Sequence, residues 1–391
     1  MTSFKCVTPA VFFLRAGAAT FLIAILGGCS ALSSVTSMFS GPNKPQPAAL
    51  ASVSGAVSAR QAWSSRVGAV NFPLDVNVSG NTFFVAGSDG SVAAIDARTG
   101  SDVWRSNIGS PIAAGVGSDG KISAVVTQAN DVVALQDGRE MWRQKLSAQA
   151  YTAPFVAGGR VFVLAADRSV NAFDGQTGRK LWTQQRPSEP LVLRQSGVML
   201  AVGDTLVVGL AGRLVGLNPI SGTVRWEAPI ASPRGINDVE RLVDLVGRVS
   251  RDGDVVCARA FQASIGCVNA TRGNLLWTKA ANGSQGIHGD ERFLYGTESD
   301  GVVSAWRRTD GERAWTTEAL RFRSLTAPLV IGRSVAIGDF AGLVHLLSRE
   351  NGTVLNRLTT DGSAIAAAPA LAGNTLITVT RNGGIFGFVP E

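Results

Sequence analysis

Asp96-Ala97-Arg98-Thr99-Gly100, followed four residues later by Trp104, is the stretch that decides the fold. The same step from glycine to tryptophan recurs along the chain. It is found at Gly138/Trp142, Gly178/Trp182, Gly222/Trp226, Gly273/Trp277 and Gly311/Trp315, and Gly352 repeats it with Asn356 in the tryptophan position. A spacing that occurs seven times indicates one structural unit repeated along the chain.

Each motif follows a pair of apolar strands joined by a tight turn. In the first unit, residues 82–86 and 91–95 flank a turn that ends in Asp89-Gly90. Asp-Gly favours the positive φ angles that tight hairpins require. Apart from Trp306, successive tryptophans from Trp63 to Trp315 lie between 38 and 51 residues apart, which suits four-stranded propeller blades. The sequence therefore predicts an all-β fold, a β-propeller of four-stranded antiparallel blades.

The ends of the repeat predict how the ring closes. Seven motif glycines mark seven blades, and the last segment, residues 368–389, has three strands and no tryptophan strand. Trp63 and the residues before it, 58–62, have no upstream strands of their own. We expect this N-terminal strand to complete an eighth blade, because closure removes edges that invite aggregation. The propeller then spans residues 58–391.

The repeated residues are expected to have structural roles. Each motif tryptophan should pack between neighbouring blades and donate its N–H to a turn carbonyl. The recurring acids Asp96 and Asp174 should hydrogen-bond to their own turns. Trp306 lies outside the tryptophan register, and we interpret it as a core residue rather than a platform for a cofactor.

The N-terminus predicts export and lipid anchoring. Residues 1–28 combine basic residues with an apolar stretch too short to span a membrane comfortably. They end in Leu26-Gly27-Gly28 before Cys29, which resembles the bacterial lipobox. That resemblance implies acylation of Cys29, and Ser30 in place of aspartate implies the outer membrane. The alternative is an ordinary signal peptide with an incidental cysteine. Residues 29–57 are predicted to be a lipidated cysteine and a flexible tether.

Composition argues against several functional classes. The net charge of +7 is scattered, without the basic block or aromatic stripe typical of nucleic-acid binding. Only His288 and His345 are available as imidazole ligands, so we predict no metal site. We find no nucleophile elbow or phosphate loop, and we predict no catalytic residues and no cofactor.

Cys257 and Cys267 flank a predicted hairpin turn. They either form a cross-strand disulfide or serve as two small apolar residues.

The phrase Asp-x-x-Thr-Gly-x-x-x-Trp resembles the repeat of quinoprotein (PQQ-type) propellers, and no Trp-Asp pair of the WD40 kind occurs. Together with the lipobox and the eight blades, it resembles the BamB family, lipoproteins of the outer-membrane β-barrel assembly (BAM) machinery. The resemblance implies a non-catalytic scaffold, held at the periplasmic face of the outer membrane, that binds the POTRA domains of BamA. It leaves open whether such a scaffold positions BamA or also captures unfolded outer-membrane protein clients.

Two segments between blades carry the candidate partner site. In BamB-like proteins, loops at residues 189–195 and 236–245 present leucine, arginine and acidic groups to the POTRA domains. The matching residues are Leu191, Leu193, Arg194, Arg241 and Asp244. The family often has a second acid where this chain has Val246. Apolar anchors beside an arginine suit a binding hot spot, and an extended edge could add a strand to a partner's sheet. Alternatively, both leucines pack beneath the blade.

Two other functions share the fold. A quinoprotein enzyme or ligand-binding propeller has the same repeat, but the adjacent cysteine pair of those enzymes is absent from this sequence. A propeller that serves another envelope partner is the third reading, because one fold hosts many functions.

Overall fold

The structure is a computed structural model that describes residues 45–53, 55–185, 191–233, 236–239 and 241–391. The described residues form strands in eight separate four-stranded antiparallel sheets. The strands are β1 Ala59–Arg66, β2 Asn77–Ser79, β3 Thr82–Ala86, β4 Ser91–Asp96, β5 Asp102–Asn107, β6 Gly117–Ser118, β7 Ile122–Val126, β8 Asp131–Gln136, β9 Arg139–Lys145, β10 Phe155–Ala157, β11 Arg160–Leu164, β12 Val170–Asp174, β13 Lys180–Gln184, β14 Met199–Val202, β15 Thr205–Leu210, β16 Arg213–Leu217, β17 Val224–Pro229, β18 Leu245–Asp252, β19 Val255–Ala260, β20 Ser264–Asn269, β21 Asn274–Ala280, β22 Ile287–Gly289, β23 Phe293–Thr297, β24 Val303–Arg307, β25 Arg313–Thr317, β26 Leu329–Ile331, β27 Ser334–Gly338, β28 Leu343–Ser348, β29 Val354–Thr359, β30 Ala370–Ala372, β31 Thr375–Val379 and β32 Gly384–Pro390.

Seven blades consist of four consecutive strands each, from β2–β5 in blade 1 to β26–β29 in blade 7. Blade 8 has the order β1-β32-β31-β30. Its outer strand β1 runs antiparallel to β32 from the pair Ala59 and Pro390 to the pair Arg66 and Gly384. The predicted eight-bladed propeller, and its closure by the N-terminal strand, are therefore confirmed.

The strand order sorts the loops onto two faces. Because strands alternate in direction, each connection from an outer strand to the next blade's inner strand lies on the same face as the turn between strands two and three. We call this the connector face. It carries the described parts of connector 3–4, residues 185 and 191–198, and of connector 4–5, residues 230–233, 236–239 and 241–244. The opposite face, which we call the motif face, carries the turns that contain the repeated glycines.

Each motif glycine contacts the tryptophan of the preceding blade. A Cβ atom built on Gly178 would lie 2.6 Å from Cδ2 of Trp142, and Gly100 would meet Trp63 at 2.5 Å. The same contact recurs at each of the seven motif glycines, all with φ between +72° and +78°. Glycine is therefore required at this position for two reasons. Its backbone adopts a positive φ angle without strain, and the neighbouring indole occupies the space that a side chain would fill.

The tryptophan N–H groups bond to the following blade, as predicted. Five of the seven outer-strand indoles donate to a carbonyl in the next motif turn, for example Trp142 Nε1 to Gly175 O at 2.8 Å. In blade 7, where asparagine replaces tryptophan, Asn356 Nδ2 donates to Val57 O at 2.6 Å, just before β1. Indole packing and this hydrogen bond together lock each blade to its neighbour.

The motif acids hold their own turns. Asp174 Oδ1 accepts hydrogen bonds from Gln176 N at 3.1 Å, and from Thr177 N at 2.8 Å and Oγ1 at 2.9 Å. These bonds, above all those from Thr177, lower the pKa of Asp174 below its ordinary value. Asp96 makes the same contacts with Arg98 and Thr99, so both acids have the structural role that the repeat predicts.

The core lies between blades rather than at one centre. Apolar clusters join neighbouring sheets, such as the cluster that links Val344 and Leu358 in blade 7 with Leu376 and Phe388 in blade 8. Trp306 is 1% exposed and belongs to such a cluster, which confirms it as a core residue.

Cys257 and Cys267 face each other on β19 and β20, and their sulfur atoms are joined as a disulfide.

Several residues between Ala48 and Val57 contact the propeller. Ala48 N donates to Arg321 O at 2.9 Å on the connector face. Leu50 packs against the apolar cluster between blades 6 and 7, and Arg357 Nη2 donates to Ala51 O at 3.2 Å. The end of the predicted tether is therefore docked on blades 6 and 7. The predicted signal peptide and Cys29 lie outside the described residues, within which no helix is both long and apolar enough for a membrane span.

Candidate functional site

The candidate site is formed where connectors 3–4 and 4–5 meet blade 3 on the connector face. Arg168, in the turn between β11 and β12, lies at the centre. Its Nη2 atom donates to Leu191 O at 3.0 Å and to Asp244 Oδ1 at 2.9 Å. The other carboxylate oxygen of Asp244 accepts a hydrogen bond from Leu193 N at 3.0 Å. One buried ion pair thus joins two connectors that are about 50 residues apart in sequence.

Arg168 sits at a turn position that other blades give to glycine. Its φ angle is +59°, and the equivalent residues in blades 1, 6, 7 and 8 are Gly90, Gly301, Gly342 and Gly383. A left-handed conformation costs a non-glycine residue roughly 1–2 kcal/mol. Arg168 is also only 7% exposed. The turn thus carries a backbone cost that its ion pair with Asp244 offsets.

Asp244 faces inward. Its side chain is 17% exposed, and both carboxylate oxygens are bonded within the protein. Removing one partner of a buried ion pair typically costs about 3–5 kcal/mol, because the other charge is left without compensation. The geometry therefore makes Asp244 a residue that positions connector 3–4 rather than one that presents its charge to solvent.

Val246, where the family often has a second acid, is 2% exposed and pairs with Arg259 in blade 5. This position belongs to the core of the propeller in this chain. The acidic half of the expected site is thus represented by Asp244 alone among the residues that we matched to the family.

The outer surface of the site is apolar and basic. Leu191 is 37% exposed, and it lies in an extended loop rather than in an edge strand. Leu193 is half-buried and lines, with Tyr151, a small cavity of about 50 Å³. Arg194 is exposed, and its guanidinium carbon lies 5.9 Å from the centre of the Tyr151 ring. Leu191 and Arg194 therefore face solvent, while Leu193 reaches into the blade. Of the two alternatives for the leucines, exposure as a binding anchor describes Leu191, and packing beneath the blade describes Leu193.

Connector 4–5 adds further apolar surface. Ile236 is 96% exposed and Val239 is 73% exposed. Arg241, which is partly buried, closes a turn in which its N–H donates to Asn237 O at 3.1 Å. Large aliphatic side chains that are this exposed are a signal of a partner surface when they stand near other apolar anchors.

The sequence did not single out Arg168, Ile236 or Val239. A signal for Arg168 was present, because arginine stands where the repeat otherwise favours glycine. For Ile236 and Val239 the signal was weaker, since an apolar residue in a long connector is equally compatible with burial.

The site has the chemistry of a binding surface. Its polar contacts are structural, and within the described residues no group of three or more histidine, cysteine, aspartate or glutamate side chains is arranged to hold a metal ion. Apolar anchors, an exposed guanidinium and a rigid support below them are suited to protein–protein contact.

Comparisons of the sequence with known proteins point to one family. A family model described as outer membrane protein assembly factor BamB matches residues 88–317. BamB from Burkholderia pseudomallei is 39% identical over 349 residues, covering 88% of this chain and 92% of that protein. BamB from Bordetella pertussis is 35% identical over 365 residues, covering 92% of this chain and 95% of that protein.

Solved structures share the fold. The crystal structure of BamB from Moraxella catarrhalis superposes with a TM-score of 0.78 at 22% identity and covers 85% of this chain and 100% of that one. Quinohemoprotein alcohol dehydrogenase from Comamonas testosteroni gives a TM-score of 0.65 at 15% identity, with 85% and 76% of the two chains covered. At these identities the likeness concerns the propeller architecture alone.

Proposed function

The chain belongs to the BamB family of outer membrane protein assembly factors, and on that basis we propose that it binds the periplasmic POTRA domains of BamA through connectors 3–4 and 4–5. Family membership makes it a component of outer membrane protein assembly, and it agrees with the expectation that the protein is not an enzyme. The proposed contact surface consists of Leu191, Leu193, Arg194 and Arg241, and we call it the connector surface.

One observation supports this surface above the others. The Arg168–Asp244 pair holds two distant connectors in one place and leaves Leu191 and Arg194 exposed. A pre-organised loop loses less conformational entropy when it binds than a loop that must be ordered by its partner. Asp244 has the role of a positioning residue in this proposal.

Co-purification from detergent-solubilised envelopes tests the proposal. We expect BamA to be recovered with the wild-type chain and lost with Leu191→Ala/Leu193→Ala/Arg194→Ala, because central anchors commonly contribute 2 kcal/mol or more each. A matched control is Val103→Ala/Ile220→Ala, which removes exposed apolar side chains from the outer strand of blade 1 and from the motif turn of blade 4, outside both connectors. Equal recovery with the folded triple variant would place the contact elsewhere.

We further propose that acylated Cys29 holds the propeller at the outer membrane. Ala48 is the first residue with a contact to the propeller in the described chain, so the covalent path from Cys29 is at most roughly 70 Å long. Such a tether lets the body work in the periplasm at some distance from the lipid. In Cys29→Ser we expect the protein to move to the soluble periplasmic fraction, with the mass of the wild-type N-terminal peptide showing the acyl chains that the variant lacks.

The disulfide between Cys257 and Cys267 is proposed to form in that oxidising compartment. Its sulfur atoms are wholly buried between blades 5 and 6. Alkylation of the unfolded protein before and after reduction tests it, because a bonded pair gains label only after reduction.

A further inference from the structure

The axis of the ring opens on the connector face into a cavity of about 400 Å³. Ligand clefts typically begin at about 300 Å³. The lining includes three arginines, Arg194, Arg248 and Arg381, and one carboxylate, Asp75. The remaining polar groups are amides and hydroxyls, so the cavity has an excess of positive charge.

Arg248 lies in β18, the inner strand of blade 5. Its Nη1 atom donates to Pro369 O at 2.8 Å and reaches Pro328 O at 3.5 Å, just before the inner strands of blades 8 and 7. Among the described residues, no acceptor is hydrogen-bonded to its Nε or Nη2 atom, and no carboxylate lies within 4 Å of its guanidinium. The side chain is partly exposed to the cavity. Among the described residues, its charge therefore has no direct counter-charge.

Asp75 does not supply that counter-charge at short range. Its carboxylate is hydrogen-bonded to the Ser196 hydroxyl. Burial raises the pKa of Asp75, against the lowering effects of the Ser196 hydrogen bond and the more distant Arg248. Asp75 is therefore a more distant electrostatic partner of Arg248 than a directly bonded ion pair would be.

The other two arginines stand nearer the mouth. Arg381 Nη1 donates to Val70 O at 3.3 Å, and Arg194 lies over the Tyr151 ring. These contacts orient the two guanidinium groups without neutralising them. A planar guanidinium binds a carboxylate through two parallel hydrogen bonds, and such charge-assisted bonds are stronger than neutral ones.

We propose that this axial cavity is a binding site for the carboxylate side chains of an acidic protein segment, with Arg248 and Arg381 as its principal ligands. The proposal does not depend on the identity of the partner that binds the connector surface. Arg194 belongs to both sites, so a protein docked on connectors 3–4 and 4–5 would have the mouth of the cavity within reach of an acidic loop.

Fluorescence anisotropy with the full mature chain in detergent tests the site directly. The probe is a labelled peptide with three glutamates, compared with its glutamine counterpart. We expect the glutamate peptide to bind in a salt-sensitive manner, and the glutamine peptide to bind roughly tenfold more weakly or worse. Arg381→Gln and Arg248→Gln should each weaken binding by about tenfold, while the motif-face control Arg98→Gln should leave it unchanged.

Thermal melting distinguishes a ligand-binding role of Arg248 from a purely structural one. If Arg248 serves the proposed site, Arg248→Gln loses the hydrogen bond to Pro369 O together with a charge that has no direct partner, so we expect a small change in the melting temperature of the free protein beside the roughly tenfold loss of peptide binding. If Arg248 only stabilises the ring through Pro328 and Pro369, Arg248→Gln lowers the melting temperature, and Arg381→Gln leaves peptide binding intact. That pair of results overturns the proposal. Competition by inorganic phosphate at the same concentration as the peptide would also overturn it, because the site would then hold any small anion.

Discussion

Replacing Gly178 with alanine tests the account of how the blades are joined. The new Cβ atom would lie 2.6–2.8 Å from three atoms of the Trp142 indole, whereas carbon atoms prefer about 3.5–4.0 Å. Overpacking of this kind costs about 1–3 kcal/mol. The φ angle of +72° adds roughly 1–2 kcal/mol for any residue with a Cβ atom. We therefore expect a loss of about 2–5 kcal/mol in the free energy of unfolding.

Gly158 in the same blade is the matched control. Its φ angle is +58°, but nothing lies within 4 Å of a Cβ atom built there, so Gly158→Ala should cost only the backbone part, about 1–2 kcal/mol. Urea denaturation of both variants measures the difference. In the background of Trp142→Ala, which removes the ring, the cost of Gly178→Ala should fall to that of the control. Equal costs of the two substitutions in the wild-type background would refute the packing role of the motif glycine.

Three further predictions follow from particular contacts. Deletion of residues 58–63 removes most of the closing strand, so the melting temperature of the whole ring should fall; an unchanged melting curve would show that blade 8 does not need β1. Asp244→Ala leaves Arg168 without its carboxylate, and it should cost about 3–5 kcal/mol and weaken BamA recovery, whereas Asp254→Ala, which removes an exposed acid on the motif face, should change neither in the same assays. Burial, followed by the charges of two nearby arginines, lowers the pKa of His288 to about 3. Because the unfolded chain takes up this proton near pH 6.5, stability should fall by about 1.4 kcal/mol per pH unit well below that pH, and His288→Asn should flatten this slope in denaturation measured from pH 7 to pH 4.

Most of the fold is predictable from the sequence because the repeat encodes it locally. The motif glycine, the tryptophan four residues later and the turn acid each act within one blade or on the next. Their spacing therefore carries the blade count, and the incomplete last repeat carries the closure by β1. The second role of the motif glycine, packing against the indole of the preceding blade, is harder to read from the sequence. It joins residues that lie about 36 positions apart, as Gly178 and Trp142 do.

The functional surface is harder to predict because long-range contacts build it. Family resemblance identified Leu191, Arg194 and Asp244, but it gave no indication that Asp244 faces inward. That orientation depends on Arg168, which lies 76 residues away in sequence. The axial cavity is a stronger case. Asp75, Arg248 and Arg381 come from the first, fifth and eighth blades and meet only because the ring closes.

The central claim is that BamA contacts the connector surface, and site-specific photocrosslinking in intact cells tests it most directly. A photoreactive amino acid at position 191 should crosslink to BamA, because Leu191 is exposed beside Arg194. The same amino acid at position 220, on the motif face, should not. BamA crosslinks from position 220 but not from position 191 would contradict the account and would move the partner to the opposite face of the propeller.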